Sequence, residues 1–296
     1  MSKVDHREKA KEASQKRSTL GADIDLSAYS HRARDLGRIS DLKALPDDIK
    51  KRAINVGIDA EGVCRSGSFF QVDHSVILAS SYREGLEIMS ITEALMKYDW
   101  LSDYWWNAVK VDADKYTAQA ELNLNHGYFL RALPGAKVEF PIQACLFMTQ
   151  EGLAQNVHNI IIAEEGSELH IITGCATAKK VQGGLHVGIS EFYVKKNARI
   201  TFTMIHHWAE DMAVRPRSVS IVEENGIFLS NYICMNPVKT LQMYPTTYCI
   251  GNNSIARYNT ILFAQNGSDM DVGSRVFLKA KGSRAEVITR AISGGG

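Results

Sequence analysis

The spacing of apolar residues changes once along this chain of 296 residues. Up to about residue 112 the apolar positions mostly recur at helical intervals, whereas from about residue 117 they alternate with polar ones at the two-residue period of β-strands. The pattern predicts a mainly β protein in two parts. Residues 1–116 form an α-rich N-terminal region with a short strand pair, and residues 117–296 form the β core.

Three N-terminal segments carry clear element signals. "LPDDIKKRAINVG" has Pro46 at a helix start and Gly57 at its end, with two acids in the first turn. "SGSFFQVDHSVILASS" alternates and predicts the strand pair. "SITEALMKYDWLSDYWWNAV" opens with the capping box formed by Ser90 and Glu93, which predicts one helix carrying an aromatic stripe for core packing or a domain seam.

Six segments of the β part repeat the order strand, tight polar turn, strand. Their turn centres are spaced by 31, 31, 29, 27 and 29 residues, and they are Gly135, Gly166, Asn197, Gly226, Asn253 and Gly282. A period held over six copies is typical of a solenoid, in which each repeat buries its apolar side by stacking on its neighbours. The fold class predicted is a parallel β-helix. A β-sandwich also fits short strands with regular turns, but it gives no reason for an even period.

In a parallel solenoid, residues one period apart become neighbours at the interstrand spacing of roughly 4.8 Å. Nine residues past the turn centres stand Cys175, His206 and Met235, which predicts that Cys175 and His206 are adjacent. Positions eight and ten past the turn centres add further thiols and an imidazole to the same edge of the stack: Cys145, His207 and Cys234.

The local context of Cys175 leaves its role open. In "SELHIITGCATAKK" the cysteine follows an apolar run in what reads as a Gly-Cys-Ala turn, which suits a buried cysteine, a metal ligand or a sulfur-handling thiol equally. An imidazole beside a thiol lowers the pKa of the thiol and favours sulfur transfer or soft-metal binding. His158, near the turn at Gly166, is expected to be a structural or surface residue on residue pattern alone.

Composition excludes several classes of protein. The net charge of +1, from 34 basic and 33 acidic residues, gives no electrostatic case for nucleic acid or an anionic membrane. The charged N-terminus lacks the apolar core of a secretory signal, and no apolar run approaches the ~18 residues of a membrane span, so a cytoplasmic location is expected. Five cysteines without a C-x-x-C pair predict reduced thiols. Phosphate-loop, zincin and hydrolase-elbow motifs are all missing from the sequence.

Several stretches resemble the SufB/SufD family of iron-sulfur cluster assembly proteins, in particular its shorter archaeal-type members. They include "GADIDLSAY", "KYDWLSDYWW", "GYFLRALPGAKVEFPIQACLFMTQEGLAQNVHNIIIAEEGSELHIITGCA" and "GISEFYVKKNARITFTMIHHW". The resemblance implies a right-handed parallel β-helix flanked by helices. It also implies a complex in which two such subunits, alike or different, sit on a pair of SufC-type ABC ATPases.

The resemblance assigns roles to particular residues. It implies that sulfur enters at Cys175 and moves along the β-helix interior past His206 and Trp208, with a basic position at Arg217; Cys145, His207 and His158 are secondary candidates. Family members continue for about a hundred residues beyond "SRAEVITRAIS", and the resemblance places the ligands of the transient iron-sulfur cluster there, past residue 296. The metal ligands are therefore left unassigned within this sequence.

The function predicted is a cytoplasmic scaffold, rather than an enzyme, that accepts sulfur from a donor protein and relies on an ABC ATPase for nucleotide hydrolysis. Two rivals come from other classes. A β-helix enzyme acting on polysaccharide would need an export signal and a cleft of clustered Asp, Lys and Arg, and the sequence displays neither. A purely structural solenoid would bind a partner through its edges.

Overall fold

The structure is a computed structural model that describes residues 5–236 and 238–296. Four α-helices lie in the N-terminal part: α1 (His6–Ala13), α2 (Asp47–Ile54), α3 (Ile91–Lys97) and α4 (Lys115–Leu122). Short 3-10 helices span Leu26–Ala28, Leu42–Ala44 and Asp99–Asp103. The first nine strands are β1 (Gly67–Val72), β2 (Ser75–Ser81), β3 (Leu86–Ser90), β4 (Tyr128–Ala132), β5 (Ile142–Met148), β6 (Ala154–Ala163), β7 (Glu168–Thr177), β8 (Gly183–Val194) and β9 (Arg199–His207). The others are β10 (Asp211–Val214), β11 (Arg217–Val222), β12 (Ile227–Cys234), β13 (Thr240–Met243), β14 (Thr246–Cys249), β15 (Ile255–Gln265), β16 (Asp269–Val272), β17 (Arg275–Leu278) and β18 (Arg284–Gly294).

The strands wind into a parallel β-solenoid, which confirms the predicted fold class. One sheet runs β18-β15-β12-β9-β7-β5-β1-β2, and every pair in it is parallel except β1 with β2. In the opposite sheet the long strand β8 pairs with β6 on one side, and on the other with β10 and β11 in succession. Each rung therefore passes through both sheets, and apolar side chains from both fill the interior.

The turns between rungs repeat one backbone conformation. A residue with positive φ occupies the turn in every rung, namely Gly135, Gly166, Asn197, Asn225, Asn253 and Gly282. Glycine and asparagine adopt this left-handed conformation at the lowest cost. The predicted turn centre at Gly226 is wrong by one residue, because Asn225 takes the left-handed position. Its side chain extends a ladder in which Asn225 donates to Asn197 at 2.9 Å and Asn253 donates to Asn225 at 3.3 Å.

The N-terminal signals are confirmed for α2 and for the β1–β2 pair, and the capping box at Ser90 is present. The single long helix predicted after Ser90 is wrong. Helix α3 ends at Lys97, and the chain continues as a 3-10 helix, because Tyr98 takes an extended conformation and stacks its ring on Trp100 and Phe129. The division at residues 116 and 117 stays a prediction.

Candidate functional site

Cys175, His206 and Cys234 are consecutive rung neighbours. In the parallel ladder Cys175 pairs with His206, which in turn pairs with Cys234. All three side chains are buried inside the solenoid. The predicted adjacency of Cys175 and His206 is confirmed. Cys234 rather than Met235 follows His206, since counting nine residues from the true turn at Asn225 gives position 234.

The predicted Gly-Cys-Ala turn is instead the middle of a strand. Gly174 and Cys175 both lie within β7, with Gly174 on the outer face. A Cβ at Gly174 would lie 2.4 Å from Cγ2 of Val56 and 2.8 Å from the Val56 carbonyl oxygen. The glycine is needed for this close approach, which lets the segment after α2 cover the strand that carries Cys175.

Two predicted neighbours of Cys175 lie outside the solenoid interior. Cys145 pairs with Gly174, not with Ala176 as the count of ten predicts. The shift arises because Lys137 pairs with Glu168 but Ile142 with Ile171, which leaves two extra residues in the chain before β5. Cys145 packs in the outer cluster between the sheet and the α2 region. His207 also faces outward. Burial lowers the pKa of His207, and the guanidinium charge of the nearby Arg52 lowers it further.

Some buried polar atoms at and near His206 have a hydrogen-bond partner and others have none. Its Nδ1 lies 2.8 Å from the hydroxyl of Tyr232, which belongs to the next rung. Its Nε2 and the Nε1 of Trp208 are both buried and have no hydrogen-bond partner among the described residues. The ring centroids of His206 and Trp208 are 5.7 Å apart. A buried donor without a partner costs about 1–3 kcal/mol, so two such groups near one thiol are a candidate binding site.

Burial keeps this interior uncharged at neutral pH. It raises the pKa of the Cys175 thiol well above its ordinary range. It lowers the pKa of His206, with the nearby His186 as a second cause, and it lowers the pKa of His186 itself to about 3. Burial also raises the pKa of Cys234 to about 11. The resting thiols are therefore protonated and the imidazoles neutral.

A small cavity adjoins the ladder. It offers about 40 Å³ to the centres of water-sized molecules, enough for roughly three waters. Both ladder neighbours of Cys175, Leu146 and His206, line it, together with His186 and the hydroxyl of Tyr232. Among the described residues, its lining contains no Asp, Glu, Lys or Arg. A small anion bound here would be held by hydrogen-bond donors alone.

The structure places Arg217 and His158 away from this cavity. Arg217 faces outward, where its Nε donates to Asp114 at 2.8 Å and its guanidinium lies over the ring of Tyr116. His158 is fully buried on the outer side of β6, with Nε2 2.8 Å from a carboxylate oxygen of Glu191. Its ring stacks on Trp105 at 4.1 Å between centroids. From the predicted set, the ladder thus joins Cys175 to His206, and the ring of Trp208 lies beside that of His206.

Sequence reasoning missed Tyr232 and His186. Tyr232 could have been found from the ladder, because it stands two residues before Cys234 on the same inward face. His186 had no such signal, since it enters from the opposite sheet. The described residues hold no group of three or more His, Cys, Asp or Glu side chains placed to bind a metal ion. None of the described helices is long and apolar enough to cross a membrane.

The fold and the site together define the class of this protein. It is a parallel β-solenoid that carries a buried thiol, an imidazole and an indole beside an uncharged internal cavity. Residues 146–296 match the family model described as "SUF system FeS cluster assembly, SufBD core domain". The chain belongs to the SufBD family of iron-sulfur cluster assembly proteins.

Curated relatives agree with this assignment. A protein of Methanothermobacter thermautotrophicus named "Iron-sulfur cluster assembly SufBD family protein" is 48% identical over 290 residues, which are 96% of this chain and 71% of the relative. A protein of the same name from Archaeoglobus fulgidus is 50% identical over 247 residues, covering 83% of this chain and 66% of the relative. A SufBD family protein of Staphylococcus aureus is 26% identical over 259 residues, or 85% of this chain and 55% of the relative.

Proposed function

We propose that the protein is a cytoplasmic scaffold of iron-sulfur cluster assembly that takes up sulfur on Cys175 and holds it as a persulfide inside the solenoid. The observation that carries this proposal is the pair of buried, unpartnered nitrogens, Nε2 of His206 and Nε1 of Trp208, in the rung that follows Cys175. The indole nitrogen is always a donor, and the imidazole nitrogen is one in the matching tautomer. Two donors are suited to the negative terminal sulfur of a persulfide.

The chemistry needs no outside oxidant or reductant. The thiolate of Cys175 attacks the outer sulfur of a persulfide or polysulfide donor. One S–S bond forms at Cys175 and one breaks in the donor, whose remaining thiolate leaves with the bonding electrons, while the proton from Cys175 passes to water or to the leaving thiolate. Because burial raises the pKa of Cys175, the free thiol is a poor nucleophile, and the attack proceeds from the small fraction present as thiolate.

The partners follow from the family resemblance. The chain would work with a SufC-type ABC ATPase that supplies hydrolysis, a second SufB/SufD-like subunit and a sulfur donor protein, and it would itself be no enzyme. The iron-sulfur cluster is the product handed on, not a resident cofactor. The sulfur donor faces a barrier, since Cys175 has no exposed surface. Inorganic polysulfide is a small donor of the required chemical class, and it is therefore the probe chosen for the test.

The test is to incubate the protein anaerobically with inorganic polysulfide, remove the excess, alkylate the thiols and locate the added sulfur by peptide mass spectrometry. We expect one added sulfur on Cys175, none in Cys175→Ser, and unchanged labelling of Cys175 in Cys145→Ala. The last variant is the matched control, because Cys145 is equally buried but lies outside the interior. Added sulfur on other cysteines with Cys175 unmodified would overturn the proposal.

A second measurement links the label to assembly. With iron, polysulfide, a reductant and the ABC ATPase present, we expect Cys175→Ser to form far less cluster than wild type, measured as cluster absorbance. Cys145→Ala should retain the wild-type yield. An equal yield from Cys175→Ser and wild type would remove the role of this thiol in cluster assembly.

A further inference from the structure

We propose that Tyr232 is a positioning residue of the sulfur site: its hydroxyl fixes the tautomer of His206, so that His206 and Trp208 together hold the anionic end of a Cys175 persulfide. This inference rests on the proposed function. It adds a residue that the sequence did not single out, and it specifies the ligand as the persulfide anion, not the neutral thiol.

The hydrogen bond between Tyr232 and His206 links the tautomer of the imidazole to the direction in which the phenol proton points. The Tyr232 hydroxyl lies 2.8 Å from Nδ1 of His206, and both side chains are buried. Burial raises the pKa of Tyr232 well above its ordinary range, so the phenol keeps its proton and can donate it. We assign the hydroxyl as the donor and Nδ1 as the acceptor, the arrangement that leaves an N–H on the buried Nε2. Because burial also keeps His206 neutral, its single N–H lies on Nε2, the atom without a partner.

The groups facing His206 add no competing charge. From β7 comes Cys175, and from β12 come Tyr232 and Cys234. From β8 comes His186, whose Nδ1 lies 3.0 Å from Oε1 of Gln155. Burial keeps His186 neutral and both thiols protonated near neutral pH. The cavity lining contains no acidic or basic side chain other than the histidines. A negative sulfur would therefore depend on the N–H dipoles for its stabilisation.

Loss of the Tyr232 hydroxyl has a specific consequence. Without it, Nδ1 of His206 would be a buried acceptor with no partner, and the proton is free to move from Nε2 to Nδ1. A lone pair on Nε2 would then replace the N–H donor and repel the persulfide anion. The pKa of the persulfide should rise, while the capacity of Cys175 to accept a sulfur atom should change less.

The experiment compares wild type, Tyr232→Phe and Tyr258→Phe. Tyr258 is an interior tyrosine of β15 that lines the same cavity, but its hydroxyl lies 2.6 Å from Oγ1 of Thr247 and makes no hydrogen bond to His206 among the described residues. After loading with polysulfide, the near-ultraviolet absorbance of the persulfide anion is titrated against pH. We expect the persulfide pKa of Tyr232→Phe to be about one unit higher than wild type, equivalent to tenfold less anion, and that of Tyr258→Phe to match wild type.

A second readout does not depend on sulfur loading. Nitrogen-15 NMR of labelled histidine reports which nitrogen of His206 is protonated. We expect the Nε2–H form in wild type and in Tyr258→Phe, and a shift toward the Nδ1–H form in Tyr232→Phe. The Nδ1–H form in wild type would overturn the inference even if Tyr232→Phe failed to fold.

The failures of the two proposals are distinguishable. If wild type takes up no sulfur at Cys175, the proposed function fails, whatever the tautomer of His206. If wild type forms the persulfide but Tyr232→Phe shows the same persulfide pKa and the same tautomer, sulfur acceptance stands and the role of Tyr232 is refuted.

Discussion

The Nε2 of His158 lies 2.8 Å from Oε1 of Glu191, and neither side chain has any exposed surface. The same carboxylate accepts backbone N–H groups from Trp106 at 2.9 Å and Val109 at 3.0 Å. Trp106 holds a positive φ of 54°, an uncommon conformation for a bulky residue. Glu191 therefore holds the N-terminal aromatic segment on the outer face of the solenoid through hydrogen bonds. His158 is part of this hydrogen-bond network and not of the sulfur site.

Replacing Glu191 with Gln should destabilise the protein by about 3 kcal/mol, because the amide turns an N–H group toward backbone donors and leaves them without an acceptor. Chemical denaturation measures the change. The control is Glu164→Gln, which weakens a partly exposed pair with Arg131 and should cost under about 1 kcal/mol. Equal losses in the two variants would contradict the special role of Glu191.

Gly174→Ala should also destabilise the fold, by about 2–3 kcal/mol, because the new methyl group overlaps Val56 and pushes the α2 region off the sheet. Gly37→Ala serves as the comparison, since a Cβ there meets nothing within 4 Å. Thermal unfolding of both variants checks the difference. An unchanged melting temperature for Gly174→Ala would mean that the approach of Val56 is not required.

Asn225 offers a test of the turn conformation. Asn225→Gly should lower the free energy of unfolding less than Asn225→Ala, by about 1 kcal/mol, because the positive φ of 53° is strained for alanine and not for glycine. Both variants lose the side-chain bond to Asn197, so that loss cancels in the comparison. Denaturant midpoints of the two variants give the answer, and a midpoint for Asn225→Ala at or above that of Asn225→Gly would refute the assignment of the turn.

Acid should weaken the fold through His186. Its pKa is about 3 in the folded protein because of burial, against about 6.5 when unfolded. Below about pH 6.5 the unfolded chain binds a proton at this histidine that the folded chain does not. The contribution of neutral His186 to the free energy of unfolding is therefore complete above that pH and is lost as the pH falls toward 3. His186→Gln should make the loss shallower by up to ~1.4 kcal/mol per pH unit. Denaturation series for both proteins over this window measure the slopes, and parallel slopes would contradict the prediction.

Much of the fold follows from local sequence signals. Turn residues recur at a near-constant interval and alternating side chains give each strand an inner and an outer face, which together predict a parallel solenoid. The same period predicts that Cys175 and His206 are neighbours, as the ladder confirms. The capping box at Ser90 and the termini of α2 are equally local, since the bonds involved join residues three or four apart.

Other features were decided only by long-range packing. The choice of Asn225 over Gly226 for the turn moves the next rung by one residue and brings Cys234 onto His206. The two extra residues before β5 pair Cys145 with Gly174 in place of Ala176. A regular period cannot reveal either event, because the register depends on backbone hydrogen bonds between rungs that lie about 30 residues apart in sequence.

The sequence by itself determined the solenoid, its period, the family and the pairing of Cys175 with His206. Only the tertiary structure decided that Gly174 lies inside a strand, that His158 and Arg217 face outward, and that Tyr232 and His186 meet His206 in the interior. The physical reason is that alternation assigns a side chain to a face, whereas its hydrogen-bond partners come from other rungs and from the opposite sheet, whose positions are set when the solenoid closes.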